Sequence, residues 1–124
     1  MRTLNAFLVE DSLAIRENLV GTLEELTPMR FVANAQDERS AVAWLTRNPE
    51  RCDVIIIDIF LKSGSGLGVL RAAGDLARPM TLIVLSNYAT PDMRRRCLEL
   101  GANQVFDKSN EIDELIGYCA RLAA

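Results

Sequence analysis

Short aliphatic runs alternate with segments of helical periodicity from one end of the chain to the other. Residues 54–57 and 82–85 are apolar at every position, which is typical of strands that helices cover on both faces. Together with the runs at residues 6–9, 31–35 and 104–106, they predict five strands separated by helices. Because crossovers between parallel strands are right-handed, the pattern predicts a doubly wound α/β fold, a (βα)5 three-layer sandwich around a five-stranded parallel sheet.

Capping signals mark the ends of two of these helices. Thr90 has the residue type of an N-cap, and Pro91 after it fits the first helical position. We expect the fourth helix to begin there and to end at Gly101, since glycine accommodates the backbone conformation that often follows a helix. Asp37 is the expected N-cap of the second helix, and Pro49 is expected to terminate that helix.

Length and composition indicate one folded domain spanning residues 1–124. Of the 124 residues, 49% are hydrophobic and 25% are charged, proportions typical of a globular protein. The net charge of -3 lacks the excess of basic residues that binding to nucleic-acid phosphates requires. We therefore predict no direct contact with nucleic acid, and no membrane span, because charged residues interrupt the apolar runs.

The cysteine and histidine content restricts the chemistry of the chain. Its three cysteines, Cys52, Cys97 and Cys119, form no Cys-x-x-Cys motif, and it has no histidine. These facts argue against a zinc site and exclude catalysis by Ser-His-Asp or Cys-His groups. Because no signal-peptide core precedes Glu10, we interpret the cysteines as small buried residues of a protein in the reducing cytoplasm.

Four of the predicted strands lead into residues that carry charge or a hydroxyl group. The first strand is followed by Glu10 and Asp11, the third by Asp58, the fourth by Ser86 and the fifth, shortly afterwards, by Lys108. Ligands of open parallel sheets bind at the carboxyl ends of the strands. We therefore expect these side chains to share one edge of the sheet and to form a site.

Electrostatics predicts a divalent cation among these residues. Two carboxylates about 4 Å apart repel by about 4 kcal/mol at an effective dielectric constant near 20, so a cluster of three needs compensating positive charge. Lys108 supplies one charge, and Mg²⁺ bound by oxygen atoms is favoured for the rest, since histidine and paired cysteines are absent. A carboxylate beside Mg²⁺ and a lysine can attack a phosphoryl group, which predicts an aspartate that accepts phosphate.

These residues resemble the receiver domain of bacterial two-component response regulators, including the chemotaxis regulators, over nearly the whole chain. The matching features are the acidic pair, the aspartate after the third strand, the Ser/Thr position, the lysine after the fifth strand and a glycine before the third helix: Glu10, Asp11, Asp58, Ser86, Lys108 and Gly66. The resemblance implies a flavodoxin-like sheet with strand order 2-1-3-4-5.

The resemblance also implies a role for each site residue. Asp58 would accept the phosphoryl group, Lys108 would pair with one phosphoryl oxygen, and Ser86 would donate a hydrogen bond to another. The groups implied to hold Mg²⁺ are Glu10, acting through coordinated water, Asp11, Asp58 and the main-chain carbonyl of Phe60. The domain would catalyse its own phosphorylation and dephosphorylation rather than act as a conventional turnover enzyme.

Partners follow from the same resemblance. A sensor histidine kinase or phosphotransfer protein would supply the phosphoryl group from a phosphohistidine. Phosphorylation would then switch a surface formed by the fourth helix, the fifth strand and the fifth helix, which an unidentified output protein or domain would read. The resemblance leaves open whether the chain forms a homodimer.

Several positions depart from the usual pattern of the family. Val105 stands where the family usually has an aromatic residue whose rotamer follows the Ser/Thr hydroxyl. Lys62 replaces a frequent proline, and Asn87 replaces a small residue beside the phosphoryl pocket. Phe60 and Tyr88 occupy positions that in the family control access of water to the acyl phosphate, so we predict that their bulk lengthens its lifetime.

Two other functions are compatible with parts of this pattern. A pseudo-receiver would keep the fold as a protein interaction module without phosphoryl chemistry, and the departures at Val105, Asn87 and Lys62 motivate that alternative. A flavodoxin-like electron carrier shares the architecture, but the acidic pair after the first strand would repel the phosphate of FMN. We therefore favour the phosphoacceptor.

Three further features have plain structural interpretations. Gly64, Gly66 and Gly68 lack the spacing of a nucleotide-binding motif and predict a flexible loop. The basic run at residues 94–96 is either a docking patch for an acidic partner or a solvated helix face. Trp44 lies among apolar residues of the second predicted helix, where we expect half-buried packing.

Overall fold

The computed structural model describes residues 2–48, 50–76 and 79–122. Within these ranges, five strands and five helices alternate along the chain. Their bounds are β1 Leu4–Val9, α1 Leu13–Leu26, β2 Met29–Ala35, α2 Glu38–Arg47, β3 Val54–Asp58, α3 Gly66–Gly74, β4 Thr81–Ser86, α4 Pro91–Glu99, β5 Gln104–Asp107 and α5 Ile112–Leu122. All five predicted strands are present, and each extends slightly beyond its predicted run because ladder hydrogen bonding continues into the flanking residues.

The strands form one parallel sheet in the order β2-β1-β3-β4-β5. This arrangement confirms the predicted doubly wound (βα)5 fold and its strand order. Asp58 lies opposite Leu85, and Ser86 lies opposite Asp107. The register therefore brings the carboxyl ends of β3, β4 and β5 to the same edge of the sheet.

Alternate residues of β3 face two separate apolar cores. Ile55 and Ile57 pack with α2, α3 and α4, whereas Val54 and Ile56 pack with α1 and α5. All four side chains are at most 1% exposed, and burying an aliphatic side chain of this size stabilises the fold by about 1.5–3 kcal/mol. The central strand is thus held rigidly from both sides, which fixes the position of Asp58 at its end.

The predicted capping residues occupy their expected positions. A carboxylate oxygen of Asp37 accepts a hydrogen bond from the backbone N–H three residues later at 2.7 Å, and the hydroxyl of Thr90 does the same at 3.2 Å. Helix α4 ends at Glu99, and Gly101 beyond it adopts a φ of 106°, in the left-handed region that favours glycine. Pro49 lies outside the described residues.

The predicted burial of the sulfur and indole groups is confirmed. All three cysteines are buried. Trp44 is half-buried, and its ring stacks on that of Phe7 with centroids 4.3 Å apart. Among the described residues, no helix has the length and apolar character needed to span a bilayer.

Candidate functional site

The strand ends bring the predicted site residues to one edge of the sheet. Asp58 and Ser86 are the last residues of β3 and β4. Glu10 and Asp11 follow β1, and Lys108 follows β5. Since parallel strands all end at the same edge, residues far apart in the sequence become neighbours, as the sequence predicts.

Lys108 joins two carboxylates that come from different strands. Its Nζ atom lies 2.6 Å from Glu10 Oε1 and 3.0 Å from Asp58 Oδ2. The side chains of Lys108, Glu10 and Asp58 are only 10%, 2% and 8% exposed, respectively. Removing one partner from a buried ion pair leaves an uncompensated charge, so this lysine holds the site together electrostatically.

Burial and charge act in opposite directions on the groups of this cluster. Burial raises the pKa of Glu10, and the hydrogen bond from Lys108 offsets only part of that effect. Burial acts to lower the pKa of Lys108, but hydrogen bonds to Glu10 and Asp58 outweigh it, so that this pKa lies above its ordinary value. The lysine therefore stays charged, whereas burial still disfavours the charged form of Glu10.

Three carboxylates converge beside this lysine. Glu10, Asp11 and Asp58 each offer one oxygen atom, and these atoms all lie within 4.8 Å of one another. The backbone N–H of Lys62 donates to Asp11 Oδ2 at 2.6 Å, and that of Phe60 donates to Asp58 Oδ1 at 3.1 Å. A cluster of carboxylate oxygens with a single ammonium group suits a hard divalent cation such as Mg²⁺.

Gly66 allows the loop after β3 to pack against the backbone of Asp58. A Cβ atom at position 66 would lie 2.0 Å from the Asp58 carbonyl oxygen, which no side chain can tolerate. The Gly66 N–H donates to the carbonyl oxygen of Ile59 at 2.9 Å. The glycine is therefore required by a close approach that shapes the loop next to the site.

Ser86 is fully buried at the end of β4. Its hydroxyl oxygen accepts a hydrogen bond from the Tyr88 N–H at 3.0 Å. Its carbonyl oxygen accepts one from the Lys108 N–H at 2.9 Å. The loop that follows Ser86 is thus bonded directly to the loop that carries Lys108. Asn87, between Ser86 and Tyr88 in the sequence, is exposed.

The predicted flexible loop is wrong for Gly66 and Gly68, which lie in the first turn of α3. The segment from Gly64 to Gly68 also makes close contacts with α2. The carboxylate of Glu38, at the start of α2, accepts a hydrogen bond from the Ser65 N–H at 2.8 Å. A Cβ atom at Gly64 would lie 2.5 Å from Glu38 Cβ, and one at Gly68 would lie 2.2 Å from Glu38 Oε2. In the sequence, the only signal for this acid is its position directly after an N-cap.

The basic run on α4 does not behave as one unit. Arg95 is 67% exposed and pairs with Asp92. Arg94 is only 35% exposed, pairs with Glu111 on the loop before α5, and also donates to two backbone carbonyl oxygens. Neither a docking patch nor a solvated face describes Arg94, and a run of three arginines gives no signal that would single it out.

The chain matches a known protein family over most of its length. Residues 6–120 match the family model described as response regulator receiver domain. The chain is 32% identical over 116 residues to a protein-glutamate methylesterase/protein-glutamine glutaminase of Azospirillum brasilense, covering 92% of this chain and 29% of that protein. It is 31% identical over 121 residues to a probable transcriptional regulatory protein of Picosynechococcus, covering 93% of this chain and 47% of that protein.

The fold is also similar to that of solved structures. The response regulator domain of Thermotoga maritima CheB superposes with a TM-score of 0.80 at 22% identity, covering 97% of this chain and 98% of that one. The chain spans less than half the length of either curated relative. Since the family model covers residues 6–120, from the first strand into the last helix, the chain belongs to the response regulator receiver domain family.

Proposed function

We propose that this chain accepts a phosphoryl group on Asp58, with Mg²⁺ bound beside it, and passes the resulting change to an output partner. The observation that carries the proposal is the position of Lys108, whose Nζ lies 3.0 Å from Asp58 Oδ2 and 2.6 Å from Glu10 Oε1. A fixed ammonium group at this place can neutralise charge on a phosphoryl group attached to Asp58.

The proposed reaction is a phosphoryl transfer between two proteins. A carboxylate oxygen of Asp58 attacks the phosphorus atom of a phosphohistidine on a sensor histidine kinase or phosphotransfer protein. The new O–P bond is an acyl phosphate, the N–P bond breaks, and the imidazole nitrogen keeps the electron pair and takes a proton. Lys108 then pairs with one phosphoryl oxygen, and Ser86 donates a hydrogen bond to another.

The acidic cluster supports a role for Mg²⁺ in this reaction. Asp11, Asp58 and the main-chain carbonyl of Phe60 would bind the ion directly, and Glu10 would do so through coordinated water. When bound, the ion supplies positive charge to the transferring phosphoryl group. Lys108 alone offers one charge against three carboxylates, so the need for a second cation exists before any phosphate arrives.

In this function, residues 1–124 act as one receiver domain that works through α4, β5 and α5. A phosphoryl group adds a charge of about -1.5 to -2 and three acceptor oxygens, which can pull the Ser86 loop inward and bias these elements. Because the chain spans 29% and 47% of its curated relatives, the output could lie on the same polypeptide or on another protein. The net charge of -3 favours a protein partner over nucleic acid for this domain.

Treatment with a small acyl phosphate tests the proposal. We expect the wild type to gain the mass of one phosphoryl group in the presence of Mg²⁺ and to gain none with EDTA. The variant Asp58→Asn should gain none under either condition. Asp75→Asn, which changes an exposed aspartate at the end of α3, should behave like the wild type.

The same experiment distinguishes the phosphoacceptor from the pseudo-receiver. The pseudo-receiver is motivated by the unusual side chains at positions 62, 87 and 105, none of which is one of the three carboxylates or the lysine of the cluster, although the backbone N–H of Lys62 donates to Asp11. A wild type that gains no mass at saturating donor and Mg²⁺ would remove the phosphoacceptor proposal. Equal mass gain on Asp58→Asn would move the phosphorylated residue elsewhere.

A further inference from the structure

Arg94 connects three segments that are separate in the sequence. Its Nε donates to the Ala89 carbonyl oxygen at 3.0 Å, its Nη1 to the Val105 carbonyl oxygen at 2.8 Å and its Nη2 to Glu111 Oε1 at 2.6 Å. One side chain of α4 thereby contacts the β4–α4 loop, β5 and the residue before α5. Because a guanidinium group is planar and rigid, a displacement at one of these contacts shifts the hydrogen-bond donors at the other two.

Glu111 extends this connection to the loop that carries the site lysine. Its Oε1 atom also accepts the backbone N–H of Asp107 at 2.8 Å, and its own N–H donates to the Asp107 carbonyl oxygen at 2.9 Å. Asp107 immediately precedes Lys108. The same carboxylate oxygen therefore serves the arginine of α4 and the backbone beside the site.

The other end of the connection lies in the loop of the site hydroxyl. Ser86 Oγ accepts the Tyr88 N–H at 3.0 Å, and the carbonyl oxygen of Ala89, the next residue, is the one that Arg94 binds. The Lys108 N–H donates to the Ser86 carbonyl oxygen at 2.9 Å. Together with Glu111, these contacts form a closed circuit around the end of β5.

The side chain of Val105 cannot take part in this circuit. It is 6% exposed and purely aliphatic, so position 105 offers hydrogen-bonding groups only through its backbone N–H and carbonyl. Arg94 uses that carbonyl. Movement of the Ser86 loop therefore has a polar route to α5 that bypasses the side chain at position 105.

We propose that Arg94 and Glu111 are a coupling pair that transmits the state of Asp58 from the Ser86 loop to β5 and α5. The inference rests on the proposed function, because phosphorylation of Asp58 is what moves the loop. In this arrangement, displacement of Ala89 shifts the guanidinium group, and the shift reaches α5 through the carboxylate of Glu111.

The experiment compares backbone amide resonances of residues 112–118 before and after phosphorylation by a small acyl phosphate with Mg²⁺. In the wild type we expect clear shifts on phosphorylation. In Arg94→Gln and Glu111→Gln we expect the mass gain at Asp58 to persist at saturating donor, while the shifts in α5 fall to less than half. Arg94→Lys, which keeps the charge but not the planar fork, should give an intermediate result.

Arg95→Gln is the matched control, since it removes a neighbouring arginine of α4 that is exposed and outside the circuit. It should match the wild type in mass gain and in amide shifts. If circular dichroism shows that Arg94→Gln is unfolded, Glu111→Gln and Arg94→Lys are compared with the wild type instead. Phosphorylated, folded variants with shifts of wild-type size would overturn the coupling pair alone, whereas a wild type without mass gain would remove both it and the proposed function.

Discussion

The rings of Phe60 and Tyr88 meet edge to face, with centroids 5.2 Å apart and an interplanar angle of 80°. Each ring belongs to a loop that leaves the site, since the Phe60 N–H donates to Asp58 and the Tyr88 N–H donates to Ser86. The pair joins the β3–α3 and β4–α4 loops beside the carboxylate proposed to carry phosphate. The two residues are 50% and 65% exposed, so the aromatic pair lies at the surface.

We expect the double variant Phe60→Asn with Tyr88→Glu to hydrolyse its acyl phosphate several-fold faster than the wild type, because the aromatic pair no longer excludes water. The measurement is a dephosphorylation time course by intact mass after the donor is removed. Leu26→Ala, at an exposed apolar position on α1, is the control. An unchanged time course in the double variant would end this explanation.

Lys108 is expected to stabilise the fold as well as to serve the site. In Lys108→Met, Glu10 and Asp58 lose their shared cation, and loss of one partner from a buried ion pair costs about 3 kcal/mol. Urea unfolding in EDTA should report this loss as a lower midpoint. The control is Lys62→Met. Lys62 is the only other lysine of the chain and is exposed, so its loss should change the midpoint little. An equal drop in the midpoint for the two variants would contradict a stabilising role of Lys108.

Two glycine-to-alanine changes should have opposite effects on stability. Gly66→Ala forces a methyl group toward the Asp58 carbonyl oxygen, 2.0 Å from the ideal Cβ position, and should destabilise the protein strongly. Gly21→Ala lies within α1, where nothing is within 4 Å of the added atom, and should stabilise it by up to about 1 kcal/mol through helix propensity. Thermal unfolding of both variants checks the signs, and a neutral Gly66→Ala would mean that the loop is free to move away.

The contribution of Glu111 to stability should depend on pH. The hydrogen bond from Arg94 and that from the Asp107 N–H hold the pKa of Glu111 below its ordinary value of 4.5. A carboxylate with a lowered pKa in the folded state adds stability above the unfolded pKa and loses it as the pH falls through the folded pKa. We expect Glu111→Gln to be less stable than the wild type by about 0.5 kcal/mol near pH 7.

That difference should stay nearly constant from about pH 7 to about pH 5 and shrink only as the pH falls below about 4.5, through the lowered pKa of Glu111. Urea midpoints of both proteins across this range provide the measurement. Because the ion pair is partly exposed, added salt should also reduce the difference at neutral pH. A difference that grows toward acid pH would have the wrong sign for a lowered pKa.

The sequence predicts which residues lie at the functional edge of the sheet better than it predicts the side-chain contacts around that edge. Asp58, Ser86 and Lys108 could be assigned to one site because each follows an apolar run, and parallel strands bring such positions together. Arg94 could not be separated from Arg95 in the same way. Its partners lie on three segments whose proximity depends on how α4 packs, and local periodicity carries no information about that packing.

The composition of the segment from Gly64 to Gly68 does not reveal why its glycines are needed. Its composition indicates flexibility, since glycine permits many backbone conformations. The structure gives Gly66 a close backbone contact, and it gives Gly64 a positive φ of 79° next to Glu38. Gly64 is thus needed because Glu38, 26 positions earlier in the sequence, lies next to it in the folded chain. The sequence alone does not show that these two residues are neighbours.

Glu38 has a practical consequence for exchanging parts between related domains. Its carboxylate accepts the Ser65 N–H, and its side chain fills the space that Gly64 and Gly68 leave open. A chimaera that received only residues 64–68, which include the first turn of α3, would carry two glycines without the acid they accommodate. One that received α2 alone would carry an acid facing foreign side chains. The unit to transfer is therefore residues 64–68 together with the first turn of α2.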